Sequence, residues 1–83
     1  MIGGKAYKFV SPGNDGVPDR LVCLPGGRCI FVELKATGKR PTKLQELQHK
    51  VLRDLGFRVW IIDSKGMVDN FIAYAEGKMM IDS

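Results

Sequence analysis

Two carboxylates and a lysine carry the chemical interest of this sequence: Asp19 in "VPDR", and Glu33 and Lys35 in "VELK", the glutamate fourteen positions after the aspartate. Whether they can act together depends on the chain between them. "DRLVCL" and "RCIFVELK" read as two strands joined by Pro25-Gly26-Gly27. That composition suits a three-residue hairpin loop: Pro25 supplies a φ of about −65°, Gly26 remains helical, and Gly27 takes the left-handed position that makes the bulge. Leu24 then pairs with Arg28. Asp19 falls opposite Glu33, Leu21 opposite Phe31, and Cys23 opposite Cys29. Opposed residues share a face with Cβ atoms roughly 5 Å apart, and Lys35, two beyond Glu33, lies on that face too. A two-residue loop would shift the register and put Asp19 behind the sheet.

Two adjacent carboxylates repel, and each raises the other's pKa unless a cation sits between them. A hard divalent ion, Mg²⁺ or Mn²⁺, is the natural cation, with the backbone carbonyl of Leu34 as a further ligand. Lys35 beside it could orient or help deprotonate an attacking water, or stabilise developing negative charge. Such an assembly suits displacement at a phosphate by metal-activated water. The plainer alternative is a strand-end salt bridge between Glu33 and Lys35, with Asp19 capping a turn. The following loop is basic, since Lys35, Lys39, Arg40 and Lys43 fall within nine residues. Taken alone that run is equally a solvated loop. Beside a phosphate site, Lys39, Arg40 and Lys43, together with Arg20, are candidates for holding a nucleic-acid backbone.

The elements that must position these groups follow from periodicity and punctuation. "KAYKFV" alternates in strand fashion and ends at the turn cluster "SPGNDG". "TKLQELQHKVLRDLG" reads as a helix with Thr42 as N-cap, Gly56 just past its end, and Leu44, Leu47, Val51 and Leu55 forming one apolar stripe. Thr42 and Gln45 have the spacing of a capping box. Gln48 falls only about 40° round the wheel from Leu44, inside the stripe, and is a candidate to face the site or another polar group. His49, four beyond Gln45, reads as a solvated or nucleic-acid-near side chain, with a catalytic role as the alternative. "FRVWIID" is a strand buried on both faces. A second helix is expected from about Met67 to Glu76, closed by Gly77, and it leaves Met79, Met80 and Ile81 without an obvious home. The order β-β-β-α-β-α predicts an α/β fold, a compact mixed sheet flanked by helices, with a right-handed crossover from the third strand to the fourth.

Composition bounds the rest. The 83 residues make a single domain over 1–83, and an apolar fraction of 45% excludes wholesale disorder. A domain this small buries only about 60–65% of its unfolded surface, so a partner subunit or a metal would add usefully to its stability. No apolar run approaches the roughly 18 residues of a membrane span and no signal peptide opens the chain, so a cytoplasmic location is expected. Cys23 and Cys29 lack zinc-site spacing with the single His49, and read as buried thiols. The net charge of +4 suits an anionic partner. Tyr7, Phe9 and Trp60 read as core rather than as surfaces for stacking bases.

Pro18-Asp19 followed by Glu33-Leu34-Lys35 resembles the PD-(D/E)XK nuclease signature. The longer stretches "SPGNDGVPDR", "LPGGR", "FVELKATGKR", the helix with Gln45, and "LGFRVWIID" are similar to the VRR-NUC family over residues 5 to 64. The resemblance implies a restriction-endonuclease-like core and metal-dependent cleavage of DNA by structure rather than sequence. It implies homodimers acting on branched DNA such as Holliday junctions, in a bacterial or phage-infected cell. Whether a helicase or another DNA-processing partner delivers the DNA is left open. Carried over by position, Asp19 and Glu33 bind metal, Lys35 is catalytic, and Gln45 is the active-site glutamine. One departure stands out: family members usually begin with a helix bearing an additional glutamate, whereas Met1-Ile2-Gly3 lead directly into the first strand. Either the domain is trimmed, or a dimer partner completes the site, or a weaker metal site suffices. The contrasting expectation is a binding or accessory module with the nuclease fold and no cleavage.

Overall fold

The computed structural model describes residues 3–77. Six elements follow in the expected order: β1 (Lys5–Lys8), β2 (Arg20–Leu24), β3 (Arg28–Leu34), α1 (Lys43–Asp54), β4 (Arg58–Ile62) and α2 (Lys65–Ala75). The strands form one sheet of order β1-β2-β3-β4. β1, β2 and β3 are antiparallel neighbours, and β3 pairs in parallel with β4 through the crossover made by α1.

The hairpin register is the one the turn composition predicts: Leu24 opposes Arg28, Cys23 opposes Cys29 and Leu21 opposes Phe31. The loop reaches it by a different backbone. Gly26 is not helical but has φ +82°, and Gly27 follows at +78°. Proline then glycine of positive φ at the two central positions is the pattern of a type II turn, which Gly26 adopts without the steric cost a side chain would bring.

Alternation divides the sheet into two faces. On one, Val22, Leu24, Ile30 and Val32 join Trp60, Ile62 and the α2 residues Phe71 and Ala75 in the main core. Trp60 packs edge-on to Phe71, with ring centroids 5.4 Å apart, and against Tyr74 at 5.3 Å. α2 starts earlier than expected because Ser64 caps it, accepting a hydrogen bond from Met67 N at 3.2 Å. Beside α2, Ala6, Val22, Val32, Val68 and Phe71 line an open apolar pocket of about 280 Å³. On the other face, Phe31 lies edge-on between Phe9 and Phe57, at 5.4 Å from each. α1 covers this side, fastened to β4 by a hydrogen bond from Arg53 Nη2 to the Val59 carbonyl at 2.7 Å.

α1 does not pack by its apolar stripe. Leu44, Leu47, Val51 and Leu55 are 47–70% exposed, while Gln45, Gln48 and Leu52 are half-buried and His49 is fully buried. At 100° per residue, the inward face is turned by roughly 100° from the stripe. The reason lies beneath it: β3 presents Glu33 and Lys35 there, and the helix meets them with polar side chains.

Cys23 is half-buried and Cys29 exposed, both as free thiols. Tyr7, expected in the core, is 48% exposed on β1 at the sheet edge. Trp60 is buried as expected and Phe9 half-buried. Met79, Met80 and Ile81 lie outside the described residues. Among the described residues no helix is long and apolar enough to cross a membrane.

Candidate active site

The site is assembled at the C-terminal end of β3, where the hairpin, the loop before β2 and the start of α1 converge. The loop is placed by two residues. Pro18 is fully buried and fixes the backbone just before Asp19. Gly16 has φ +89° and approaches α1 so closely that a Cβ there would lie 2.9 Å from the Leu44 carbonyl carbon and oxygen. Asp19 sits one residue before the β2 ladder begins, in the register that sets it against Glu33. Its Oδ1 accepts a hydrogen bond from Leu34 N at 3.2 Å, and its carbonyl accepts one from Phe9 N at 2.9 Å.

Glu33 is the most buried carboxylate here, 4% exposed, and its Oε1 has no hydrogen-bond partner. Burial pushes its pKa up, the negative charge of Asp19 adds to the rise, and the Lys35 ammonium offsets part of it. Lys35 is held at both ends: its backbone N–H donates to the Ile62 carbonyl at 2.9 Å, and its Nζ donates to Gln45 Oε1 at 2.6 Å. Gln45 Oε1 also accepts from Thr42 N at 2.9 Å, while Gln45 N donates to Thr42 Oγ1 at 3.2 Å. The capping box and the contact with the site therefore coexist in one side chain.

His49 is placed differently from the sequence expectation. It is 1% exposed rather than solvated, because it lies on the inward face of α1 four residues after Gln45. Its Nε2 is 3.8 Å from Glu33 Oε1, and neither ring nitrogen has a hydrogen-bond partner. Burial pushes its pKa down, Arg53 and Lys35 push it further, and Glu46 acts the other way. The ring is thus neutral at pH 7, and the contact with Glu33 is not an ion pair.

Asp19, Glu33, Lys35 and Gln45 are brought together, with His49 behind Glu33. Gln48 is half-buried on the same side of α1. Lys39, Arg40 and Lys43 are exposed in the loop between β3 and α1 and at the helix start. Arg20 stands apart: its side chain lines the pocket on the opposite face and its Nη1 donates to the Asp19 carbonyl at 2.9 Å. The side chain of Leu34 lines that pocket as well, so only its backbone faces the carboxylates.

A hard divalent cation fits these residues. Glu33 is a buried carboxylate whose repulsion from Asp19 is offset only in part by Lys35. An ion bound to both carboxylates would relieve that repulsion and compensate the buried charge. Among the described residues no group of three or more His, Cys, Asp or Glu side chains is placed to hold a metal. Two carboxylates, a backbone oxygen and waters make the kind of donor set that Mg²⁺ accepts.

A mixed sheet with a parallel β3-α1-β4 unit, bearing an aspartate, a glutamate and a lysine at one strand end, defines a restriction-endonuclease-like core of the PD-(D/E)XK class. Known proteins agree. The chain is 58% identical over 66 residues to "Putative nuclease p44" of Acyrthosiphon pisum secondary endosymbiont phage 1, an alignment spanning 80% of this chain and 71% of the phage protein. It superposes on the solved structure of a VRR_NUC domain with a TM-score of 0.82 and 35% identity, covering 88% of this chain and 80% of that one. No family model matches the sequence. The protein belongs to the VRR-NUC family.

Proposed function

We propose that this protein is a metal-dependent, structure-selective endonuclease that hydrolyses phosphodiester bonds in branched DNA and works as a homodimer. The observation that carries this reading is the placing of Asp19 and Glu33 side by side with Lys35 fastened to Gln45 at 2.6 Å. A binding module has no use for clustered carboxylates facing phosphate, since without a cation they repel it.

A Mg²⁺ or Mn²⁺ ion bound there would supply positive charge at the scissile phosphate and lower the pKa of an attacking water. Asp19 and Glu33 would hold it, with the Leu34 carbonyl as a third protein ligand. The remaining work belongs to the chain itself. Lys35 keeps its ammonium in a fixed place because Gln45 Oε1 anchors it, so it can orient the water or meet the charge that develops on the phosphate oxygens. A donor that needs no reorganisation in the transition state is worth far more than a mobile one. Lys39, Arg40 and Lys43 lie exposed beside the site, where they would hold the DNA backbone in a salt-dependent manner.

The exposed stripe of α1 supports the dimer. Leu44, Leu47, Val51 and Leu55 form a contiguous apolar surface of the kind that marks an interaction site. Two copies packed through this stripe about a twofold axis would bury it, and C₂ dimers are the commonest assembly. Such a dimer presents two equivalent sites, which suits paired cuts on a four-way junction.

Incubating the protein with labelled four-way junction, nicked duplex and linear duplex, in Mg²⁺ or Mn²⁺ against EDTA, tests the proposal. Metal-dependent cuts in the junction are expected. An intact junction that is still bound by the protein would favour the accessory-module alternative.

A further inference from the structure

We infer that His49 is a positioning residue for the candidate metal ligand Glu33: its Nε2–H fixes Oε1 of the carboxylate and thereby directs the other oxygen to the ion. The inference rests on the metal-site reading above and deepens it.

The starting point is an anomaly of burial. His49 is among the most buried side chains of the protein, yet neither of its nitrogens has a partner. A buried polar group without a hydrogen bond is costly. An apolar side chain at this position would avoid the penalty, and Leu52, on the same face of α1, shows that leucine is accepted there. Glu33 Oε1, 3.8 Å from His49 Nε2, is likewise buried without a partner among the described residues. The unsatisfied donor and the unsatisfied acceptor therefore face each other.

A shift of under 1 Å would bring them to the roughly 2.9 Å of a hydrogen bond. That shift is what metal binding asks of Glu33, since a carboxylate that ligates an ion must commit one oxygen to it. Ligating carboxylates are oriented by hydrogen bonds from groups behind them, and loss of such a group costs about 10–100-fold in metal affinity or activity. The helix supports this role: Gln45 holds Lys35 and His49 faces Glu33 one turn later, so one face of α1 addresses both functional residues of "ELK".

Calorimetric titration of the DNA-free protein with Mn²⁺ tests the inference through affinity rather than activity. His49→Leu is expected to weaken Mn²⁺ binding by about tenfold or more while the metal-free protein melts at the same temperature or higher. His49→Gln places an amide N–H near the original Nε2 and is expected to recover most of the affinity. The shorter His49→Asn does not reach Glu33 and is expected to bind as weakly as His49→Leu. The Gln and Asn variants both keep a polar side chain, so their comparison decides the matter even if His49→Leu fails to fold. Wild-type affinity in His49→Leu or His49→Asn, or no recovery in His49→Gln, would overturn the inference. Absence of Mn²⁺ binding by the wild type would overturn the metal-site reading itself, and the inference with it.

Discussion

Lys35 Nζ and Thr42 N converge on a single oxygen, Gln45 Oε1, at 2.6 and 2.9 Å. The helix cap and the candidate active-site lysine are thus fastened by the same atom. A side chain that closes α1 at its first turn also fixes the ammonium at the end of β3, so the proposed chemistry would be coupled to stability there.

Two substitutions should separate those functions. Gln45→Glu keeps a capping-box acceptor and adds a charge beside Lys35, so stability should hold within about 0.5 kcal/mol while cleavage falls. Gln45→Ala removes both, with an expected cost of about 1 kcal/mol and a similar loss of cleavage. Chemical denaturation beside a cleavage assay reads the two effects independently.

The outward stripe of α1 predicts assembly. Leu47→Glu with Val51→Glu should convert a dimer to a monomer without loss of helical circular dichroism, because both side chains are about half exposed in the single chain. Sedimentation velocity distinguishes the states. A wild type that sediments as a monomer at tens of micromolar would contradict the dimer.

Gly16 is predicted to tolerate no side chain. Gly16→Ala strains a backbone at φ +89° and drives a methyl into the Leu44 carbonyl. A loss of about 2 kcal/mol is expected, together with weaker metal binding because the loop carries Asp19. A variant as stable as the wild type would show that the loop does not press on α1 in solution.

Two buried groups give the metal-free protein opposing pH dependences. Glu33 has a raised pKa in the folded state. The folded protein holds that proton more tightly, so this contribution is fully present below the unfolded value of 4.5 and is lost as pH rises through the folded value. His49 has a lowered pKa. Its contribution is present above the unfolded value of 6.5 and is lost as pH falls through the folded value. Glu33→Gln should therefore remove the loss of stability on going upward from pH 4.5, and His49→Leu the loss on going downward from pH 6.5. Denaturation midpoints across pH 4 to 8 measure both slopes. Bound Mn²⁺ should reverse the Glu33 effect, because the ion requires the ionised carboxylate.

Much of this arrangement is legible in the sequence, and the exceptions have physical causes. Pro25-Gly26-Gly27 specifies a loop length, and loop length specifies register, so the opposition of Asp19 and Glu33 follows even though the turn closes through a positive φ at Gly26. α1 is legible as a helix but not in its orientation. Hydrophobic periodicity assigns the apolar stripe to the core on the assumption that the chain is alone, and a helix that faces a polar site on one side and solvent or a partner on the other breaks that assumption. The signal for the true inward face was present as Gln45, Gln48, His49 and Leu52, spaced i, i+3, i+4 and i+7, and masked by their polarity. The same misassignment put His49 in solvent. Charge alone makes Arg20 a backbone-binding candidate, whereas alternation along β2 sends its stem to the opposite face. Residue type points Cys29 inward, whereas the structure leaves it exposed.

In the proposed reaction Glu33 and Lys35 act together in metal-dependent cleavage. Single-turnover cleavage of a labelled four-way junction in saturating Mn²⁺ tests it most directly, comparing wild type with Glu33→Ala and Lys35→Ala. The wild type should cut and should stop in EDTA, and each variant should lose about 10²-fold or more while still binding the junction. Cleavage at the wild-type rate by either variant, or an uncut junction with the wild type, would contradict it.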